Sequence, residues 1–546
     1  MPLTVFKHDE KYTENNNNSC PHLRVTTPCC INVVATYMRF PLLAKSLPPH
    51  CDDITFQRQH AILGLAIATD MAIYTLICVI VGVIIIYAVR INSLMASAPA
   101  EAERLAGMPL TVEEILAVKE RLRKHPIECE RYLPARKKRR YVIVGGSGRQ
   151  FTASHLVTIA HHCSPRLIGI IGGQIVLDLL AIGNSPSAIR IIDANPPIRV
   201  AQFNNSPASE VPVIRADVTS PSGILSAFTS PWPTSTSSLP LTVFHTVALI
   251  RPFERHEILY HRCSRVNVEG TANVLHAARE AGAELFIHTS SCTAEHLPVN
   301  FFPRTLFSLG PSYAQVLTAS DFKQPLRPPH LFATNYARSK AEAERLVKDA
   351  GNEGTMRTGI LRPGNAVYGH PEDKVLGRML ALGSLPSFGA KWSQNWMGMR
   401  NASLAHLQFE DALLGPHAEK LTGNAFLVTD DGPPLRLSDV HKILKTASET
   451  GLRVMYPPPL LMLLVAYVIE AWSLLAARLP ALGRLIGEPA DPLILFQPAV
   501  FSAAVSAAVD DSVARKPPER GGIGYTPAFT SLEGMTAQAM MHGMVT

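Results

Sequence analysis

A short apolar run, Tyr141-Val-Ile-Val144, leads straight into Gly145-Gly-Ser-Gly148. A buried strand followed at once by a glycine turn constrains the fold more than any other stretch of this chain. Glycines let the backbone approach a phosphate without a Cβ in the way. A helix starting after such a turn aims its N-terminus at the anion. From Arg140 onward, short apolar strands alternate with helical segments, which is the pattern of a parallel α/β sheet.

The helix comes late. Gly172-Gly-Gln-Ile-Val-Leu-Asp-Leu-Leu180 has the right character, and Ile191-Ile-Asp193 ends a second strand beyond it. Between turn and helix lie Arg149 to Gly169, 21 residues that separate the phosphates from the helix dipole they would use. Without them, Gly145, Gly148 and Gly172 fall into an uninterrupted dinucleotide fingerprint, with Asp193 about 20 residues on. Residues 149–169 therefore read as an aberrant insertion, a translated intron or gene-model error, with a true surface loop as the alternative. An acid at Asp193 accepts ribose hydroxyls and repels a 2′-phosphate, which favours NAD over NADP; the plainer reading is a strand-end turn residue. Asp217, in Arg-Ala-Asp-Val, ends a third strand within reach of an adenine.

Tyr336-Ala-Arg-Ser-Lys340 opens a stretch, Tyr336 to Val347, that reads as an amphipathic helix. Positions i and i+4 share a helix face, so Tyr336 and Lys340 point into one space. An ammonium beside a tyrosine favours the phenolate, which makes the pair a candidate general base for an alcohol. The spacing alone is weak evidence, since it recurs by chance.

At 546 residues the chain is long enough for two to four units. The N-terminal 1–60 are polar, with Asn15 to Asn18 in a run and several prolines, and read as a disordered tail without a cleaved signal peptide. Asn17-Asn18-Ser19 is a glycan acceptor motif. Residues 61–90 read as a transmembrane helix, since about 20 apolar residues span a bilayer; nothing from Met71 to Val89 is charged. Arg90 and the run Arg136-Lys-Lys-Arg-Arg140 follow it, which places the later part on the cytoplasmic side. That run reads as a solvated segment or as attracted to anionic lipid. No nucleic-acid recognition module accompanies it. Residues 91–140 read as a linker with a helix after the capping box Thr111-Val-Glu-Glu114. The nine cysteines show no zinc spacing and fit a reducing compartment, and no metal is expected. Leu460–Ile469 is too short to span and reads as a helix lying at the bilayer surface, or as a plain core helix.

Taken in order, Gly145-x-x-Gly148, Phe244-His-Thr-Val-Ala248, Val266-Asn-Val-Glu-Gly-Thr-Ala-Asn-Val-Leu275, Thr289-Ser-Ser291, Tyr336-x-x-x-Lys340, Leu361-Arg-Pro-Gly364 and Tyr368-Gly369 resemble the extended short-chain dehydrogenase/reductases. Arg251-Pro-Phe-Glu-Arg255 and Gly524-Tyr-Thr-Pro527 narrow the resemblance to the 3β-hydroxysteroid dehydrogenase family, including sterol-4α-carboxylate 3-dehydrogenases. It covers about residues 140–530.

The resemblance implies an α/β fold: a Rossmann-type doubly wound parallel sheet at 141–430 binding NAD, and a smaller C-terminal substrate lobe at 431–546. It implies oxidation of a sterol 3β-hydroxyl, with loss of carbon dioxide if a 4α-carboxylate is present. Tyr336 would be the base, Lys340 its partner and ribose ligand, Ser291 the hydrogen-bond donor to the substrate oxygen with Ser290 a near miss, and Asn267 the support of the lysine relay. Simpler roles are a strand cap for Ser291 and an exposed helix position for Asn267. An endoplasmic reticulum membrane location and other sterol-biosynthesis enzymes as partners are implied as well. The rivals are a dihydroflavonol-type reductase, a nucleotide-sugar epimerase, or a non-catalytic membrane-anchored relative. The family usually spaces Ser291 and Tyr336 more closely, so 297–325 reads as a second insertion or a longer loop.

Overall fold

The computed structural model describes residues 53–545 apart from 146–169, 195–206, 304–306, 308–309, 372, 374 and 450. Gly148, the 149–169 segment and the glycan motif thus lie outside the described residues. The chain divides into two compact units, Met1–Val83 and Ile84–Thr546. The first holds most of α1 (Asp53–Met95), whose apolar side chains between Ile62 and Val81 are exposed. Residues 53–60 are helical, not part of a disordered tail, because the apolar helix extends back through them.

The expected linker is folded into the second unit. Ile91 and Met95 are fully buried, and α2 (Val112–Lys124) buries Leu122 and places Ile115 in one cluster with the helices Leu437–Ala447 and Ser531–Val545. The Thr111 capping box is formed as the sequence predicts. The pattern misled because two apolar residues a full two turns apart are enough to dock a charged helix.

Seven parallel strands form the central sheet: β1 (Arg140–Val144), β2 (Ile189–Asp193), β3 (Val213–Arg215), β4 (Leu241–His245), β5 (Ala283–Thr289), β6 (Arg357–Pro363) and β7 (Asn424–Val428). Their order is β7-β6-β5-β4-β1-β2-β3, so the chain runs outward from β1 one way and then returns to run the other. Alternate residues serve opposite faces. Tyr141 and Ile143 pack with α3 (Ile170–Ala181), while Val142 and Val144 pack with α4 (Gly270–Glu280) and α5 (Asn335–Asn352). α6 (Met399–Leu414) joins α3 on the first face through Ala405, Phe409 and Leu413. Helices on both faces make this the doubly wound arrangement expected.

The C-terminal lobe is not the contiguous 431–546 segment. Its four-stranded sheet combines Leu435–Arg436 and Ser506–Val509 with Ser393–Gln394 and Ala314–Leu317. The 297–325 stretch is thereby built into the lobe, with Phe301, Tyr313 and Leu317 buried. Tyrosines from two of the motifs tie lobe to sheet. The Tyr368 hydroxyl donates to Asp430 Oδ2 at 2.6 Å, and that of Tyr525 to the Thr429 carbonyl at 2.8 Å. α7 (Pro459–Arg478) continues well past the apolar run read from the sequence. It buries Leu463 and Ala466 against Ile91 and Phe501, and leaves Leu461, Leu464, Val465 and Val468 exposed.

Candidate active site

Where the strand order turns at β1 and β4, the carboxyl ends of the strands open a crevice, the usual ligand position in such sheets. Here it is a cavity of about 360 Å³. Gly145 after β1, Asp193 at the end of β2, Asp217 beyond β3, Thr246 after β4, Ser290 and Ser291 after β5, and Tyr336 all line it.

Gly145 has φ +97, and a Cβ there would stand 2.8 Å from Val247 Cγ2 and 2.9 Å from the Val247 nitrogen. Only glycine fits, and the bare backbone faces the cavity. Gly172 does not line it; it is buried in the first turn of α3, and Ile170 and Ile171 reach the cavity instead. An open backbone at Gly145 and an acid at the end of β2 fit a dinucleotide.

α5 begins at Asn335 because Thr334 caps it, accepting the Ala337 N–H at 2.9 Å. Such a cap is worth about 1 kcal/mol. The Asn335 N–H donates to the Glu254 carbonyl at 2.7 Å, which anchors the helix start to the Arg251–Arg255 loop. Tyr336, Lys340 and Glu344 then follow at one-turn intervals.

Two serines compete for one role, and their partners separate them. Ser290 Oγ donates to Glu344 Oε1 at 2.5 Å and is committed to the interior. Ser291 lines the cavity, hydrogen-bonds the Tyr336 phenol, and also caps the short turn Cys292–Glu295. Ser291 thus faces the cavity and at the same time caps the turn that follows β5.

Burial pushes the Tyr336 phenol above the usual tyrosine range, and the Ser291 hydrogen bond lowers it in part. The expected depression by Lys340 is not present in this state. The Lys340 amine is fully buried and donates to the Thr289 carbonyl at 2.6 Å, with His288 Nε2 at 3.3 Å. Burial pushes it down to about 7, against the carboxylate of Glu344.

Asn267 is buried, not an exposed helix position. It sits in a π-helical turn, Arg265–Glu269, a feature that often marks functional sites. Its amide accepts the Leu249 N–H at 2.7 Å and donates to the Leu249 carbonyl at 3.1 Å and to Ser339 Oγ at 2.9 Å. It thereby pins a cavity-lining residue to α5. Thr293 and Thr334 also line the cavity with Tyr336. Sequence reasoning missed both, although Thr334 stands directly before the helix as a cap residue.

The family model for the 3-beta hydroxysteroid dehydrogenase/isomerase family matches residues 167–454, more than half of the chain. The chain belongs to that family. Among curated family relatives, short-chain dehydrogenase/reductase family 42E member 1 of Mus musculus is 24% identical over 252 residues, 43% of this chain and 58% of that protein. The 3beta-hydroxysteroid-dehydrogenase/decarboxylase isoform 1 of Arabidopsis thaliana is 29% identical over 242 residues, 43% of this chain and 50% of that protein. The chain thus spans about half the length of these relatives. Among solved structures, the UDP-glucose 4-epimerase of Thermotoga maritima is 15% identical, with a TM-score of 0.47 over 74% of this chain and 100% of that one.

Proposed function

We propose that this chain oxidises the 3β-hydroxyl of a sterol or steroid with NAD. The observation that carries this is the cavity itself: Tyr336 and Ser291 stand together at the sheet's switch point, beside Gly145 and Asp193 and among apolar residues such as Ile250, Pro252, Val367 and Val375. Family membership supports the same reading.

Asp193 would hold the adenosine ribose, Gly145 the pyrophosphate and Lys340 the nicotinamide ribose. When bound, NAD supplies the hydride acceptor. The chain's own groups do the rest. Ser291 donates a hydrogen bond to the substrate oxygen. Tyr336 Oη takes the hydroxyl proton. The apolar wall excludes water and packs a rigid hydrocarbon skeleton. A substrate with a 4α-carboxylate would become a β-keto acid, whose loss of carbon dioxide needs no further residue.

An apolar ligand of this kind is dissolved in membrane. α1 is long and apolar enough to cross one, and the exposed face of α7 suits a bilayer surface. A membrane-bound chain with its folded unit in the cytoplasm, at the endoplasmic reticulum beside other sterol-biosynthesis enzymes, is the setting this implies.

Detergent-solubilised full-length chain, as written and with Arg149–Gly169 deleted, is titrated with NAD by calorimetry and then assayed with 3β-hydroxysterols and UDP-sugars. Sterol-dependent NADH formation supports the reading. Turnover of UDP-sugars alone favours the epimerase reading. If neither folded form binds NAD, the chain is a non-catalytic relative.

A further inference from the structure

We propose that His288 is a positioning residue for Lys340: its ring nitrogen Nε2 accepts a hydrogen bond from the Lys340 ammonium and holds that amine in the buried layer below the cavity. This rests on the dinucleotide-site reading above and goes beyond it.

β4 and β5 run parallel with His245 directly opposite His288. Register partners on adjacent strands present their side chains to the same face. The two rings lie 5.1 Å apart, tilted by 33°. Lys340 descends from α5 onto this floor, and all three side chains are fully buried. The next residue, Thr289, turns to the opposite face and meets His406 of α6 at 2.7 Å.

Hydrogen-bond direction fixes where the ring protons sit. A lysine ammonium only donates, so toward charged Lys340 His288 Nε2 accepts at 3.3 Å, and the ring hydrogen then sits on Nδ1, a buried atom with no hydrogen-bond partner of its own. Thr271 Oγ1 donates to the Asn267 carbonyl at 2.7 Å, so it accepts from His245 Nε2 at 2.9 Å. The floor therefore consists of two neutral imidazoles, one presenting a lone pair to Lys340 and the other tied back to Asn267.

Neutrality here is robust. Burial pushes His245 down to about 3, His406 down to about 4, and His288 well below the usual histidine range. A charged ring at any of these positions would repel the ammonium. Glu344 supports the charge from the same helix, but its carboxylate is shared with Ser290 and with Arg362 of β6. In its charged form Lys340 is thus held in a dry site by the Thr289 carbonyl, His288 and part of a shared carboxylate. Removing one of two close acceptors lets the proton leave at lower pH. The charge of Lys340 is then lost sooner as pH rises, and the active range narrows from the alkaline side.

The test is NAD titration into the full chain, in whichever of the written or 149–169-deleted forms binds, from about pH 6 to about pH 9. Two buffers of different ionisation enthalpy give the protons exchanged on binding. H288F removes the acceptor, and H288Q keeps one in its amide oxygen. The expected result is a proton-exchange profile displaced by about one pH unit in H288F, with H288Q near the wild type. The alkaline limb of kcat/KM should move with it while the sterol KM stays unchanged. Superimposed profiles for H288F and wild type overturn the proposal, and so does an H288Q displaced as far as H288F. If H288F shows no cooperative melt, H288L replaces it as the variant without an acceptor, and H288Q alone still overturns the proposal if it is displaced. Turnover does not enter the binding measurement. A chain that binds NAD but oxidises no sterol refutes the substrate and leaves this result legible; a chain that binds no NAD in either form overturns both.

Discussion

Glu344 holds Arg362 with both carboxylate oxygens, at 2.8 and 2.6 Å, in a site from which water is excluded. Arg362 passes the grip to Asp321 at 2.6 Å, and Ser290 shares Glu344 Oε1. One buried fork thus joins α5, β6 and the 297–325 segment behind the cavity. Breaking such a pair leaves a lone buried charge and costs about 3–5 kcal/mol. R362M should lower the denaturant midpoint accordingly. The double variant E344L/R362M should recover a substantial part of the loss, because the fully buried pair is then gone and only the partly exposed Asp321 is left unpaired.

Tyr336→Phe should remove turnover by about 10²–10⁴-fold, the usual contribution of a general base. Ring packing and fold are kept, so NAD affinity by calorimetry and the melting temperature should remain near wild type. An activity loss matched by a loss of NAD binding would assign Tyr336 to cofactor holding alone.

Asp193 is buried at the end of β2 and lines the cavity. Asp193→Ala should improve NADP relative to NAD by about tenfold or more, which corresponds to about 1.4 kcal/mol. The readout is the ratio of the two dissociation constants. An unchanged ratio would place the adenosine elsewhere.

Glu410 gives a stability signature with a definite sign. Burial raises its carboxyl from 4.5 to about 7, and the Thr242 hydrogen bond opposes this. The folded state therefore prefers the protonated acid. The contribution is fully present below the unfolded value and is lost as pH rises through about 7. At about 1.4 kcal/mol per unit the upper limit is about 3 kcal/mol. Glu410→Gln keeps an acceptor for Thr242 and cannot titrate, so its unfolding free energy should fall less than wild type between those two values.

The central sheet was legible because local signals agreed. Tyr141–Val144 runs into a turn that only glycine can make at Gly145, and Tyr336 to Lys340 is one helical turn. Asp193, read from its place at the end of the second strand, and Ser291, implied by the resemblance, both line the cavity because the strand ends converge there. What sequence could not give depends on register and on distant pairing. His288 meets Lys340 only because β5 lies beside β4 under α5. Ser290 is set apart from Ser291 by Glu344, more than 50 residues on, at a separation of 54. The 91–140 stretch looked like a linker because Ile115 and Leu122 are few among charges, yet they suffice to dock α2. The lobe boundary failed because Ser393–Gln394 and Ala314–Leu317 are too short to carry a strand pattern.

The strand order also dictates how the molecule can come together during synthesis. A nascent chain that has released β1, β2 and β3 holds a half-sheet whose β1 edge stays open until Leu241–His245 emerges to cover it. Unpaired edges of this kind invite association with other chains. The first half of the nucleotide crevice is thus made as an exposed margin, and the edge that is open during synthesis ends up inside the sheet, between β4 and β2.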